Sequence, residues 1–248
     1  MVTRVKIRAF RAVRDREAAK RFVEGHGRVL RSHGVTKVTS LNERWMDDPS
    51  VFVILVESVE GDKIYGGARI HAATADNKLP VEEATGFMDE KIYDIVAAEK
   101  HHGTGELCGL WNSIEVAGMG IGSFFATMSG VVIAEQVGLT SIFALCAPYT
   151  VPFAESVGCR VLKEVGNKGT FYYPKIDLLA TVVLLGDSPV LNYAEEEVAD
   201  RIRSLRAQPV QVVQEKPPGK NVTLEIHYDL AIPDADKNEF RLREKVNN

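Results

Sequence analysis

Two rhythms of hydrophobic and polar positions run along this chain. From Val2 to Phe10, residues Val2, Arg4 and Lys6 alternate with Val5, Ile7 and Ala9, a period of two that predicts a half-buried strand. Asp15 then stands where a helix N-cap belongs. Phe22, Val23, Val29 and Leu30 follow at helical positions as far as His33-Gly34. Val51–Glu57 (VFVILVE) is a β-branched run read as a buried strand. Glu60-Gly61-Asp62-Lys63 supplies the turn to its hairpin partner, Ile64–His71.

Residues 72–105 interrupt this pattern with a loop containing Pro80 and a helix expected from about Glu82 to Lys100, its apolar stripe being Phe87, Met88, Ile92, Ile95 and Val96. Next come a strand at Leu107–Asn112, a glycine-dense turn and a helix at Ser123–Val137. Strand Ser141–Cys146, short helix Val151–Val157 and strands Arg160–Val165 and Leu178–Leu185 complete the pattern. Gly186–Pro189 reads as a boundary. Beyond it lie a charged amphipathic helix (Tyr193–Arg206), a break at Pro217-Pro218-Gly219, a strand (Val222–Asp229) and a polar tail with helical potential. The order predicts an α/β (α+β) fold with a sheet of mixed direction and flanking helices. Residues 1–186 form one domain in this reading, with a helical insertion at about 72–105, and residues 187–248 form a C-terminal extension.

Composition narrows the class. A net charge of -4 and a hydrophobic content of 45% describe an ordinary globular chain and give no support to nucleic-acid binding. The many arginines of the first third interleave with acids and apolar residues, as on a solvated face. Cys108, Cys146 and Cys159 make an odd count without a C-x-x-C pair, against a disulfide framework or a cysteine metal site. His101-His102 sits in a loop and makes no metal site on its own. With no secretory apolar region and no apolar stretch of spanning length, the expectation is a cytoplasmic protein with no membrane partner and no metal.

The most informative stretch is Glu106–Ser123 (ELCGLWNSIEVAGMGIGS). Helix starts carry unpaired N–H groups and partial positive charge, and glycines let a phosphate approach the main chain. No Lys follows the last glycine, so a nucleotide-triphosphatase loop fails. A dinucleotide loop fits poorly, since Ser123 stands where its third glycine belongs and no βαβ unit opens the chain. An acyl-coenzyme-A pyrophosphate loop remains, beside the alternative of a turn that serves packing alone.

On these residues the chain resembles motif A of the GCN5-related N-acetyltransferase (GNAT) superfamily, a strand and loop followed by Arg/Gln-x-x-Gly-x-Gly/Ala opening a helix. Gly120 and Gly122 occupy the glycine positions, and Leu110, Trp111 and Asn112 fall at the end of the strand. Phe153 and Gly158-Cys159 stand where that family usually has Phe-Tyr and Gly-Phe, and the element order from Val2 to Leu185 is also similar. The resemblance implies a GNAT fold whose central sheet splays at an acyl-CoA site. It further implies direct attack of a small-molecule primary amine on the thioester, donor acetyl-CoA or another acyl-CoA. Donor contacts are implied at Leu110, Trp111, Asn112, Ala117, Gly118, Met119, Gly120, Ile121, Gly122 and Ser123.

Two positions depart from the family pattern. Ala117 replaces the usual Arg or Gln, and Ala154 stands where many relatives carry the tyrosine that protonates the leaving thiolate. Tyr149, five residues earlier, is the candidate substitute for that proton donor. Glu106 lies near the position of a base in some relatives. Sharing a strand face with Cys108 and Leu110 would half-bury it and raise its pKa; the alternative is an exposed glutamate or an ion pair with Arg69. Arg69 is a candidate for holding a substrate carboxylate or phosphate, or else a sheet-face ion pair. Cys146 reads as a small core residue.

The layout around the insertion is similar to acyl-homoserine-lactone synthases and long-chain N-acyl amino-acid synthases. That likeness implies an acyl-carrier-protein donor as an alternative, with Phe87, Met88, Ile92 and Tyr93 either lining a pocket or packing a helix on the sheet. A catalytically degenerate acyl-CoA-binding protein and a homodimer paired through the extension also remain open.

Overall fold

The computed structural model describes residues 4–32, 34, 43–217 and 220–241. These residues build a mixed ten-stranded sheet with helices on both faces. Strand β1 (Arg4–Arg11) leads into helix α1 (Arg16–Ser32), where Asp15 accepts the N–H of Ala18 at 3.0 Å as an N-cap does. Strands β2 (Val51–Glu57) and β3 (Ile64–Ala72) form the expected hairpin, and every residue of β2 is buried. The insertion carries α2 (Pro80–Thr85) and α3 (Lys91–Lys100). Strand β4 (Thr104–Asn112), helix α4 (Phe124–Gln136), strand β5 (Ser141–Cys146) and helix α5 (Val151–Ser156) follow. The remaining elements are β6 (Arg160–Val161), β7 (Thr170–Tyr172), β8 (Leu179–Leu185), α6 (Glu196–Ala207), β9 (Val210–Glu215) and β10 (Leu224–Asp229).

The strand order is β6-β8-β5-β4-β3-β2-β1-β10-β9, with β7 also pairing with β8. Two neighbour pairs are parallel, β4 with β5 and β1 with β10. The main core lies between the sheet and α4, whose sequence FFATMSGVVIAEQ is apolar nearly all round and buried from Phe124 to Ala134. A second core lies under α1 on the opposite face, around Phe22, Trp45 and Trp111. A third lies beneath the insertion, around Leu79, Ile92 and Val96.

Several expectations change in detail. The single helix expected from about Glu82 to Lys100 is two helices, because Gly86 ends the first and the Asp89 carboxylate accepts the N–H of Lys91 to start the second. Phe87 and Met88 fall in the intervening turn and are exposed, so only Ile92 and Val96 of the five-residue stripe are fully buried. The strand expected to run to Val165 ends at Val161, and β7 and β9 were missed. Beyond residue 186, α6 packs on α4, and β10 and β9 extend the same sheet from β1. The tail segment 234–241 forms turns and buries Phe240 edge-on against Phe52. Val2, His33, Pro218-Gly219 and the tail after Arg241 lie outside the described residues. Among the described residues, no helix is long and apolar enough to cross a membrane.

Candidate active site

Two irregularities in β4 create the site. The first is a bulge. Gly67 of β3 pairs with Trp111, whereas Arg69 pairs with Cys108, so two steps on β3 span three on β4. Gly109, at a left-handed φ of 61°, lies within this bulged stretch. The bulge resets the alternation of faces. Leu107 and Leu110, three residues apart, both pack towards the main core, while Cys108 and Trp111 both turn to the α1 face. The face expected to hold Glu106, Cys108 and Leu110 together is therefore broken at Gly109.

The second irregularity is a parting of strands. β4 pairs with β5 only at Thr104–Ser141, Gly105–Ile142 and Glu106–Phe143. Beyond that point β4 stays with β3, while β5 continues beside β8 as far as Cys146–Thr181. Between the parted strands lies a cavity of 210 Å³. Leu107, Val131, Ile142, Val157 and Leu185 make its wall largely apolar, and His26, Cys108, Thr127, Cys146 and Tyr149 bring polar groups to it. Thr127 and Val131 come from α4, and His26 from α1, so the cavity reaches through the gap to both faces of the sheet.

The glycine turn is fastened to the end of β4. The Asn112 side-chain oxygen accepts the N–H of Gly122 at 2.6 Å. A Cβ at Gly122 would lie 2.3 Å from the Trp111 carbonyl oxygen, so only glycine lets the turn sit this close. Gly118 and Gly120 have φ of 73° and 68°. Met119 packs on the core and Ile121 is wholly buried, which fixes the turn between these glycines. Among the described residues, no acceptor takes the N–H groups of Gly118, Gly120, Ile121 or Phe124. Such groups at the start of a thirteen-residue helix suit an anion. Ala117 is exposed and adds no charge, and Ser123 makes no side-chain cap bond. The ammonium of Lys220, from the segment before β10, lies 3.6 Å from the Cβ position of Gly118 and has no ion pair among the described residues.

Other sequence-predicted residues take different places. Leu110 and Tyr149 stand in the cavity wall, Tyr149 mostly exposed, and Ala154 is buried in the same wall. Trp111 faces α1 rather than the cavity. Glu106 is buried beneath α2, where its carboxylate accepts the N–H of Val81 at 2.5 Å, and it does not line the cavity. Burial raises its pKa to about 8, against the lowering effects of the Val81 N–H and Arg69. Arg69 is 1% exposed, with its guanidinium 4.3 Å from the Trp45 ring and Nη2 donating to Cys108 Sγ at 3.8 Å. His71, opposite Glu106, is held neutral by burial and by the charge of Arg69. Cys146 is buried as expected and also lines the cavity, where burial pushes its thiol up to about 11. Sequence reading missed His26. The available signal was its position four residues after Phe22 on the apolar face of α1, between Gly25 and Gly27. No group of three or more potential metal ligands occurs among the described residues.

The sheet parted at β4 and β5, with the glycine turn leading into α4, gives the chain a GNAT-like fold. Similar solved structures include FeeM, an N-acyl amino acid synthase from uncultured soil microbes, with a TM-score of 0.58 and 15% identity over 80% of this chain and 99% of that one. Another is BjaI, a CoA-dependent acyl-homoserine lactone synthase solved with SAM and isopentyl-CoA, with a TM-score of 0.51 and 13% identity over 86% of this chain and 94% of that one. No protein-family model and no curated protein sequence matches the chain. At these identities the likeness establishes the fold.

Glu106 generates a test of stability. Its folded-state pKa of about 8 lies above the ordinary 4.5, so between those values the folded chain holds a proton that the unfolded chain has lost. The Glu106 contribution to stability therefore declines as pH rises through that window. Glu106→Gln keeps an acceptor for Val81 and removes the titration. The melting temperature of the variant, relative to wild type, is expected to climb from pH 5 to pH 8. Parallel melting curves across that range would contradict the buried, proton-holding carboxyl.

Proposed function

We propose that this chain is an N-acyltransferase that moves an acyl group from a coenzyme-A thioester to the primary amine of a small molecule by direct attack. The observation that carries the reading is the parting of β4 from β5 after Glu106, which opens an apolar cavity beside the edge of β4 turned away from β3, an edge that no strand pairs there. A thioester arm laid in that gap would find main-chain partners along residues 107–112 and an apolar wall for its acyl tail. The free N–H groups of the glycine turn, with Lys220 above Gly118, fit the donor's pyrophosphate. Lys220 thus supplies the charge that Ala117 lacks.

In the reaction the amine nitrogen forms a bond to the thioester carbon and the carbon–sulfur bond breaks, its electron pair leaving with sulfur. On this reading backbone N–H groups beside the bulge stabilise the oxyanion. Tyr149, at the cavity wall, is the proposed source of the proton that the thiolate takes; solvent accepts the proton lost by the attacking nitrogen and returns one to the Tyr149 phenolate. Glu106, sealed under α2, acts in this reading through the packing of that helix and not as a group in contact with substrate. FeeM is named an N-acyl amino acid synthase and BjaI an acyl-homoserine lactone synthase, which supports an amino acid or a related small amine as the acceptor.

The deciding experiment measures free-thiol release and product mass with acyl-CoAs from acetyl to dodecanoyl against a panel of amines and amino acids. Each methylene buried in the cavity adds about 0.8 kcal/mol, so kcat/KM should rise about fourfold per carbon until the cavity is full. Turnover only with carrier-protein thioesters would replace CoA as donor. Tight CoA binding without turnover on any amine would indicate a binding protein. Lys220→Ala should raise the KM for acyl-CoA about threefold to tenfold and leave acyl-pantetheine, which has no pyrophosphate, unaffected. Tyr149→Phe should lower kcat by about a hundredfold with little change in donor affinity; an unchanged kcat would remove Tyr149 from the mechanism.

A further inference from the structure

We propose that His26 orients the acceptor amine for attack, by accepting a hydrogen bond from its N–H on the α1 side of the gap. The inference rests on the acyl-transfer reading above. His26 is 4% exposed and forms part of the cavity wall beside Cys108 and Gly109, at the point where β4 bulges. No hydrogen bond or ion pair joins its ring to another described residue. An imidazole at a cavity wall without a protein partner is available to a molecule that enters the cavity.

The surroundings hold this ring in one orientation. It stacks on Trp111 at an interplanar angle of 15° and meets the edge of Phe22 at 6.0 Å between centroids. Trp111 reaches that position because residue 25 is glycine, where a Cβ would lie 2.2 Å from the indole. Glycines at 25 and 27, inside a seventeen-residue helix, each weaken it relative to alanine. The helix thus gives up intrinsic stability at the turn where the tryptophan and the imidazole meet.

Placement on the sheet defines the partner. The glycine turn and α4 occupy one face, so a donor held there enters the gap from that side, past Thr127 and Val131. The nucleophile must then approach the carbonyl from the α1 face, where His26 and Cys108 stand. Burial, with the nearby charge of Arg69, lowers the His26 pKa to about 3, so the imidazole stays neutral at physiological pH. A neutral ring does not repel an incoming ammonium group, and its lone pair can hold the free amine once the proton has left to water. Its role is orientation: the nitrogen lone pair of the amine forms the bond to carbon, and the imidazole keeps that lone pair aimed.

The test uses the full chain with hexanoyl-CoA as donor and glycinamide as acceptor. His26→Phe keeps an aromatic ring against Trp111 and removes both nitrogens, and His26→Gln keeps a hydrogen-bonding group. Expected for His26→Phe are unchanged hexanoyl-CoA affinity, an acceptor KM raised about tenfold, and aminolysis lowered about tenfold relative to hydrolysis of the same thioester. His26→Gln should recover part of the aminolysis. General damage to the site lowers aminolysis and hydrolysis together, and that result in both variants would overturn the proposal, as would wild-type acceptor kinetics in His26→Phe. A wild-type protein that fails to bind hexanoyl-CoA would instead sink the acyltransferase reading itself.

Discussion

Parallel strands normally stay paired along their length, because an N–H or carbonyl without a partner in a sheet interior is costly. In this chain β4 and β5 keep only three residue pairs and then separate, and the rest of the site depends on that separation. The bulge at Gly109 accompanies it on the other edge of β4, where β3 and β4 stay paired with one extra residue on β4. The strand can bend there without losing β3, and it presents Leu110 to one face and Trp111 to the other. Cavity, turn and helix α4 follow from this geometry, since the end of β4 is also the anchor for Gly122 through Asn112.

A second consequence concerns charge. Glu106, Arg69 and His71 lie near the splay but beneath α1 and α2, away from the cavity wall. A lone buried charge is costly, and the structure lowers that cost by several means. The Arg69 guanidinium lies over Trp45 and against Cys108, His71 is neutral, and Glu106 holds a proton over most of the physiological range. Perturbed groups of this kind often mark catalytic centres, but buried structural networks perturb pKa values in the same way. Access separates the two cases here. The groups that meet the cavity are His26, Tyr149 and the cysteines, and burial has pushed the Cys108 thiol up to about 12 and made it a poor nucleophile.

Legibility in the sequence followed the range of the interactions involved. The glycine turn could be read because its constraint is local: three glycines in five residues mark a backbone that something approaches closely, and Gly122 against the Trp111 carbonyl is that approach. Strands β2 and β8 could be read from continuous apolar runs. The bulge could not, since Glu106-Leu-Cys-Gly-Leu alternates acceptably in a regular strand and only the register against β3 reveals the extra residue. The burial of Glu106 was anticipated in direction but not in extent, because it depends on α2 descending from a distant segment to place the Val81 N–H on the carboxylate. His26 carried only a weak signal for the same reason: a histidine between two glycines on an apolar helix face becomes distinctive once Trp111 and the cavity are seen beside it.

The C-terminal segment links the edge of the sheet to the glycine turn. β10 joins β1 in parallel, with Arg4 opposite Glu225, and so fixes the chain leading into it at the α4 end of the molecule. Lys220 reaches Gly118 through that approach, and Phe240 closes on Phe52 at the other end of the segment. A positive charge delivered by a late segment differs physically from an arginine within the turn. Its position depends on the pairing of β10 with β1, whereas a side chain at residue 117 would depend only on the turn. On the proposed reading, grip on the donor's phosphates therefore rests on the sheet edge as well as on the turn, and the same β10 strand shares the core that backs the cavity.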